Sequence, residues 1–380
     1  MLVYLYFVIS HIAVVIMNFL RIPLVFYILI IMSAYSIVAF SFDPVLQQKM
    51  YGGEGVDLYR HFESLDLIRI GNGENLYMEA PLSLLYLSVV ANLFDNNHIL
   101  PLVSTWIFYA MYFYLIISYC KCIKADDYVI KTVICIGISF LVFFGVMNNI
   151  RYPIAMGMFM LVFYQEFIKE KISKIWYVLP VLMHPGIVFL LLIRLLANIK
   201  FRYIFMLILP FSIFVILNIE NILQTIISFL VFMPDLQNLI VKAMIKMYSY
   251  SSGDEYAVPL LFRVTSLYVF IIFLVLSALA YNYRCKLMKN EYFVRMIKII
   301  TIVVLTGEIT NYMDGNFSDR IIGILPFFIT MLSSDILVIM NKMDRMTIVT
   351  VKTFLYGSSL FYLSIWLFKV YLNWIYGGLE

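Results

Sequence analysis

The sequence predicts an all-α fold: a polytopic integral membrane bundle with about 11 full transmembrane helices and one or two re-entrant or broken ones. Of the 380 residues, 63% are hydrophobic and 13% are charged, whereas soluble proteins carry about a quarter charged residues. Apolar runs near the ~20 residues that cross a bilayer recur along the chain. Helices satisfy their own backbone hydrogen bonds in lipid, and no run alternates as a barrel strand does.

The predicted helices follow the apolar runs in order. The run 81–95 is short behind Pro81 and is predicted to be re-entrant or interfacial, whereas His184-Pro185-Gly186 breaks the run 175–198. The remaining runs are predicted to be full spans: 2–20, 22–42, 99–119, 128–147, 152–168, 203–219, 260–283, 294–312, 320–340 and 348–375. Together they predict one transmembrane domain, 1–380.

Two polar segments are predicted to be large periplasmic loops, 43–80 and 220–259. The first holds seven acidic residues against three basic ones. Lys121 and Lys124, by contrast, lie in a basic link that the positive-inside rule assigns to the cytoplasm. This alternation places Arg151 on the outer side and both chain ends outside.

Composition also argues against several kinds of site. The four cysteines lack the paired spacing of a zinc site, so neither a metal nor another cofactor is expected. Lysine clusters are too few for a nucleic-acid interface, and the many aromatic residues suit interfacial belts instead.

Arg151 is the main candidate functional residue, because an arginine at membrane depth normally faces protein, water or an anion. One guanidinium group can bind two phosphate oxygens at once. Several arginines near the outer face therefore favour a lipid pyrophosphate as ligand. The candidates for catalysis are Arg151, His184, Arg320, Asp319, Glu308 and Asp57; those for substrate binding are Asn149, Tyr152, Arg60 and Arg263.

Three motifs in order resemble the EpsG-like and Wzy-type polysaccharide polymerases. They are G-V-D-L-Y at 55–59, N-N-I-R-Y-P-I-A at 148–155 and M-H-P-G-I-V-F-L at 183–190, followed by Arg320 ahead of Pro326-Phe327-Phe328. The prolines after Tyr152 and after His184 depart from the small or polar residues commoner in that family. The resemblance covers most of the chain, although each motif is short.

The resemblance implies a GT-C-like polymerase of the bacterial inner membrane with its active site facing the periplasm. Such an enzyme joins oligosaccharide repeat units carried on undecaprenyl pyrophosphate, as donor and acceptor, into O-antigen or a related surface polysaccharide. A sugar hydroxyl displaces the lipid pyrophosphate with inversion, and no metal is required. Membrane lipid and a chain-length regulator protein are the further partners. The general base is left open among Asp57, His184, Glu308 and Asp319, and positioning alone is a further alternative.

Other interpretations also fit the sequence. A flippase or transporter for the same saccharides needs arginines too, but it needs access from both faces and usually repeat symmetry. An O-antigen ligase shares the general architecture, whereas a membrane-bound acyltransferase does not call for several outer arginines. Structural roles remain as well: Asp319 with Arg320 as an ion pair, His184 as a hydrogen-bond partner at the helix break, and Arg60 or Arg263 as interfacial anchors.

Overall fold

The computed structural model is all-helical in the residues it describes, with no β-strand among them. These residues are 2–20, 22–44, 57–73, 76–141, 143–169, 174–199, 260–310, 321–340 and 345–376. Within them, the side chains of 2–5, 144–145, 260–263, 306–310, 345–348 and 366–376 are not described. The expected loop 220–259 and the run 203–219 lie outside the described residues.

The helices follow one another as α1 (Leu2–Phe19), α2 (Leu24–Phe40), α3 (Asp57–Arg69), α4 (Pro81–Leu93), α5 (Ile99–Cys122), α6 (Asp127–Phe140), α7 (Phe143–Asn148), α8 (Arg151–Phe167), α9 (Val178–Met183), α10 (Val188–Leu196), α11 (Leu260–Asn282), α12 (Glu291–Thr310), α13 (Leu325–Met340) and α14 (Arg345–Tyr376). Short 3-10 turns occupy Lys174–Tyr177, Pro185–Ile187 and Leu287–Lys289.

The helices largely follow the predicted apolar runs. The short run became α4, which has only 13 residues, and the expected break at His184 separates α9 from the turn before α10. In the described part of the chain, two helices are long and apolar enough to cross a membrane, Ile99–Cys122 and Val264–Asn282. The count of about 11 spans stays a prediction.

The run 128–147 differs from the expectation of one continuous helix. Leu141 leaves the helical conformation with φ −77° and ψ 108°, and α7 starts afresh at Phe143. The break lets the Phe143 ring pack against Phe7 and Tyr35, with centroids 5.1 and 5.0 Å away. Aromatic packing on both sides offsets the helical hydrogen bonds lost at the break.

The chain divides into two compact units. The first comprises Met1–Val188, Tyr268–Lys289 and Ile324–Glu380; the second comprises Phe189–Leu267 and Asn290–Gly323. Within the second unit, Arg295 forms an ion pair with Glu291 at 2.8 Å, and Arg194 is buried. Every site residue whose side chain is described below lies in the first unit.

The core of the first unit forms around α6, in which every residue from Val129 to Phe140 is buried. A helix buried on all faces must be apolar all round, and this one nearly is. Gly137 lets α5 approach α6 closely, because a Cβ at this position would overlap the Tyr112 hydroxyl. That hydroxyl bonds Thr330 Oγ1 at 2.8 Å, which joins α5 to α13 beside α6.

Helices α5 and α8 of this unit run parallel. Gly157 faces the side chain of Met111, and Tyr164 lies within electrostatic range of Cys122. Arg151, which begins α8, is therefore at the end of the unit opposite Cys122. We call the end with Arg151 the arginine end and the end with Cys122 the lysine end.

The lysine end collects hydrogen bonds from several elements. Lys286 Nζ lies 2.8 Å from Cys122 Sγ, and the backbone N–H of Leu287 donates to Asp335 Oδ2 at 2.9 Å. Lys131, only 7% exposed, donates from Nζ to the carbonyls of Leu20 at 3.0 Å and Ile22 at 3.2 Å. These carbonyls follow α1, so Lys131 caps the end of that helix and fixes the corner into α2.

Replacing Lys131 with methionine is expected to destabilise the protein by about 1–3 kcal/mol, because two carbonyls lose their buried donor. Thermal unfolding of the purified protein, followed by fluorescence, measures the change. The matched control is Lys121→Met, which removes an exposed lysine from the same end and should leave the melting temperature nearly unchanged. Equal melting temperatures for the two variants would contradict the capping role.

Candidate functional site

Arg151 occupies the first position of α8 with its side chain partly buried, and no acidic residue lies in that first turn. Ile150 precedes it without a side-chain cap. The amino end of a helix carries partial positive charge, so a cation there costs about 0.3–1 kcal/mol unless an anion compensates. No salt bridge of Arg151 occurs within the described ranges. Helix and guanidinium together form a cationic site that favours an anion.

The guanidinium of Arg151 lies over the ring of a tyrosine. Its Cζ is 4.1 Å from the centroid of the Tyr77 ring, which is the distance of a cation–π contact. A cation–π contact satisfies a guanidinium without consuming the hydrogen-bond donors that an anion needs. Tyr77 thus supports the cation without neutralising it.

The backbone at Tyr77 is in an unusual conformation, with φ +53°. For a bulky residue this region costs on the order of 1–3 kcal/mol. Glycine or asparagine would adopt it more easily, so the side-chain contacts of Tyr77 must stabilise it. These contacts are with α3 and with Arg151.

The Tyr77 hydroxyl is fixed by two buried residues of α3. His61 Nδ1 lies 2.9 Å from it and Ser64 Oγ 3.0 Å. Ser64 donates its only hydroxyl proton to the Arg60 carbonyl at 2.7 Å, so it must accept from Tyr77. Tyr77 in turn must accept from the Nδ1–H of His61. This is the one assignment that gives every contact a donor and an acceptor, and it fixes the tautomer of His61.

Burial, together with the positive charges of Arg151 and Arg60, lowers the pKa of His61 to about 3. The imidazole is therefore neutral at physiological pH, and it adds no third charge beside the two guanidinium groups. Its role in the folded protein is that of a neutral donor to Tyr77.

His184 lies next to the start of α8, in T-shaped contact with Tyr152 at 5.3 Å between centroids. Its Nδ1 accepts the backbone N–H of Gly186 at 3.0 Å. A ring nitrogen that accepts must carry its lone pair, so the proton of the neutral ring is on Nε2. His184 can then donate a hydrogen bond from Nε2, and its basic nitrogen is occupied. This geometry favours His184 as a donor over its role as general base.

The break at His184 is also fixed from α4. The hydroxyl of Ser83, which is fully buried, donates to the carbonyl of Met183, the last residue of α9. Side chains therefore satisfy two of the backbone groups at the break, the Met183 carbonyl and the Gly186 N–H. The break is a defined structure, and it sets the position of His184.

Asn148 and Asn149 have different surroundings. Asn148 Oδ1 accepts the N–H of Leu58 at 3.2 Å, which satisfies a donor in the first turn of α3. Asn149 is exposed. Beside them, Asp57 and Arg60 form a loose pair at 3.8 Å with both side chains about half exposed. The motif 148–155 thus connects α3 to α8 and leaves Asn149 accessible.

The structure brings together six of the predicted site residues at the arginine end: Asp57, Arg60, Asn149, Arg151, Tyr152 and His184. Glu308 lies in α12 and Arg263 in α11, but their side chains are not described. Asp319 and Arg320 lie outside the described residues. The predicted pairing of Arg151 with Arg320 is therefore still a prediction.

Sequence reasoning missed His61, Ser64 and Tyr77. A signal was present for the first two, because Leu58, His61 and Leu65 follow helical spacing and share the buried face of α3 with Ser64. A polar helix that buries a histidine needs a partner for it. Nothing local in the sequence marks Tyr77, since its neighbours in the chain give no periodic pattern.

Comparisons with protein-family models, with curated proteins and with solved structures found no match. Among the described residues, no group of three histidine, cysteine, aspartate or glutamate side chains is arranged to hold a metal ion.

The low pKa of His61 predicts a pH-dependent stability. The unfolded chain takes up a proton near pH 6.5 while the folded protein does not until about pH 3, so stability falls as the pH drops below 6.5. We expect a loss of about 2 kcal/mol between pH 6.5 and 5 relative to His61→Asn, which keeps a donor for Tyr77 but does not titrate. Thermal unfolding of both proteins at several pH values measures it. Parallel curves would contradict a neutral buried His61.

Proposed function

We propose that this protein is a glycosyltransferase that polymerises undecaprenyl-pyrophosphate-linked oligosaccharide repeat units into O-antigen or a related surface polysaccharide. The observation that carries the proposal is the Arg151 site, in which a guanidinium is stacked on Tyr77 at a helix amino end without an acidic partner in the described ranges. A doubly charged leaving group such as pyrophosphate suits this site. The motif resemblance supplies the saccharide class.

The proposal also includes a polytopic protein of the inner membrane. Support comes from the two helices of sufficient length and hydropathy and from the apolar side chains that α1 and α2 expose, among them Ile16, Phe19, Val25 and Phe26. Such a surface suits lipid contact. By the positive-inside rule the lysine end is cytoplasmic. The Arg151 site then faces the periplasm, where lipid-linked repeat units are joined.

In the proposed reaction a hydroxyl oxygen of one lipid-linked unit attacks the anomeric carbon of the growing chain. The bond from that carbon to the pyrophosphate oxygen breaks, and the configuration inverts. Arg151 stabilises the charge that develops on the departing pyrophosphate, and His184 donates a further hydrogen bond from Nε2. The attacking hydroxyl gives its proton to the carboxylate of Asp57 or to solvent.

The orientation can be tested with single cysteines at Asn72 and Ser173. Asn72 is exposed just after α3, at the arginine end, and Ser173 belongs to a lysine-rich link predicted to be cytoplasmic. In intact cells, an impermeant thiol reagent should label Asn72→Cys and spare Ser173→Cys, in a background with Cys122 changed to serine. Lysed cells should show labelling of both, as the control. Labelling of Ser173→Cys in intact cells would reverse the orientation.

The decisive experiment concerns Arg151→Lys. An ammonium is a point charge and cannot hold two pyrophosphate oxygens at fixed spacing, so kcat should fall about a hundredfold, or about 3 kcal/mol. Chain extension by the purified protein, supplied with lipid-linked repeat units, is the measurement. Arg295→Lys is the matched control, because Arg295 pairs with Glu291 and either cation can keep that contact.

Near-normal turnover by Arg151→Lys, at unchanged protein level, would reduce Arg151 to an interfacial anchor. Deleting the gene in its host separates the rival functions. Surface polysaccharide reduced to single repeats indicates a polymerase. Loss of all saccharide from the outer face indicates a flippase, and free polymer that is never attached to its acceptor indicates a ligase.

A further inference from the structure

The residues that fix Arg151 form a connected network of contacts. None of the residues behind Arg151 in this network is assigned a contact with the pyrophosphate. The Tyr77 ring lies against the guanidinium, while its hydroxyl is turned away toward His61 and Ser64 on the buried face of α3. One side chain thus connects the cation to the interior of another helix. The φ of +53° at Tyr77 shows that the backbone adopts an unfavourable conformation to present it.

We propose that Tyr77 is a positioning residue that holds the Arg151 guanidinium in its anion-binding orientation, with His61 and Ser64 fixing the Tyr77 ring. The inference rests on the proposed function, because the anion is taken to be the pyrophosphate of the lipid-linked saccharide. It adds three residues, none of which contacts the substrate, to the working site.

The physical reason is preorganisation. A free arginine side chain samples many rotamers, and binding an anion then requires that this freedom be lost. Stacking on a fixed ring restricts the guanidinium to one plane while its edge N–H groups stay available for oxygens. An acidic partner would also fix the arginine, but it would neutralise the charge that the pyrophosphate needs. An aromatic ring fixes the arginine without neutralising its charge.

The test measures inhibition of chain extension by inorganic pyrophosphate. Tyr77→Leu removes the ring and should raise the inhibition constant about tenfold, as expected for loss of one cation–π contact. Ser64→Ala keeps the ring but removes the acceptor of its hydroxyl, and should raise the constant by about threefold. The control is Tyr86→Phe, which deletes a comparable tyrosine–serine contact, 2.6 Å to Ser104, elsewhere in the unit. It should leave the constant unchanged.

A double-mutant cycle distinguishes positioning from a general loss of structure. If Tyr77 acts through Arg151, then Tyr77→Leu should lower kcat/KM about tenfold in the native background and less than twofold in Arg151→Gln. Equal effects in both backgrounds would overturn the proposal. Ser64→Ala provides the same comparison if Tyr77→Leu does not fold.

A readout without activity separates this inference from the proposed function. Phenylglyoxal modifies accessible arginines, and peptide mass spectrometry gives the rate at Arg151. Tyr77→Leu should raise that rate several-fold relative to Tyr86→Phe. A raised rate together with normal turnover by Arg151→Lys supports the positioning contact and overturns the proposed function. An unchanged rate and an unchanged inhibition constant in Tyr77→Leu overturn the positioning role alone.

Discussion

The constraint on which the candidate site depends is electrostatic: a guanidinium is placed where the helix dipole is already positive. Arg151 begins α8, and the described part of the chain offers its charge no carboxylate. Two features make this arrangement tolerable. The ring of Tyr77 attracts the cation through its quadrupole, and His61 stays neutral between Arg151 and Arg60 because burial lowers its pKa. An incoming anion then relieves a repulsion as well as gaining hydrogen bonds.

Side-chain hydrogen bonds join the elements that surround this site. Ser64, Tyr77 and His61 fix the loop before α4 to α3, and Asn148 fixes the start of α3 to the turn before α8. Ser83 fixes the end of α9. Each bond is worth only about 1 kcal/mol, but the bonds of Asn148 and Ser83 connect residues 90 and 100 positions apart in the chain. The site is thus assembled by side-chain hydrogen bonds of α3, α4 and α7, together with the contact between Tyr77 and Arg151.

Much of the fold followed from the sequence, because apolar runs and prolines act locally. The short α4 and the break at His184 were predicted from run length and from Pro185-Gly186. The break at Leu141 was not, since it depends on Phe143 packing against Phe7 and Tyr35, which are distant in sequence. The same holds for the site. Arg151 can be recognised in the sequence as a charged residue among hydrophobic ones. The role of Tyr77 depends on contacts with residues that are not its neighbours in the sequence.

The way in which the site is held together bears on whether the protein is a polymerase or a flippase. A transporter must alternate between two arrangements around its ligand, so its binding residues usually lie on elements that can separate. Here hydrogen bonds join α7 to α3 through Asn148 and α4 to the end of α9 through Ser83. The ring of Tyr77 connects Arg151 to α3. Separating these elements would leave several polar groups without partners. A fixed cation is what transition-state stabilisation requires, because the enzyme then need not reorganise as charge develops on the leaving group. Under the proposed function, the bonds that would hinder alternating access favour catalysis at a fixed site, so the geometry supports the proposal of saccharide transfer over that of lipid transport.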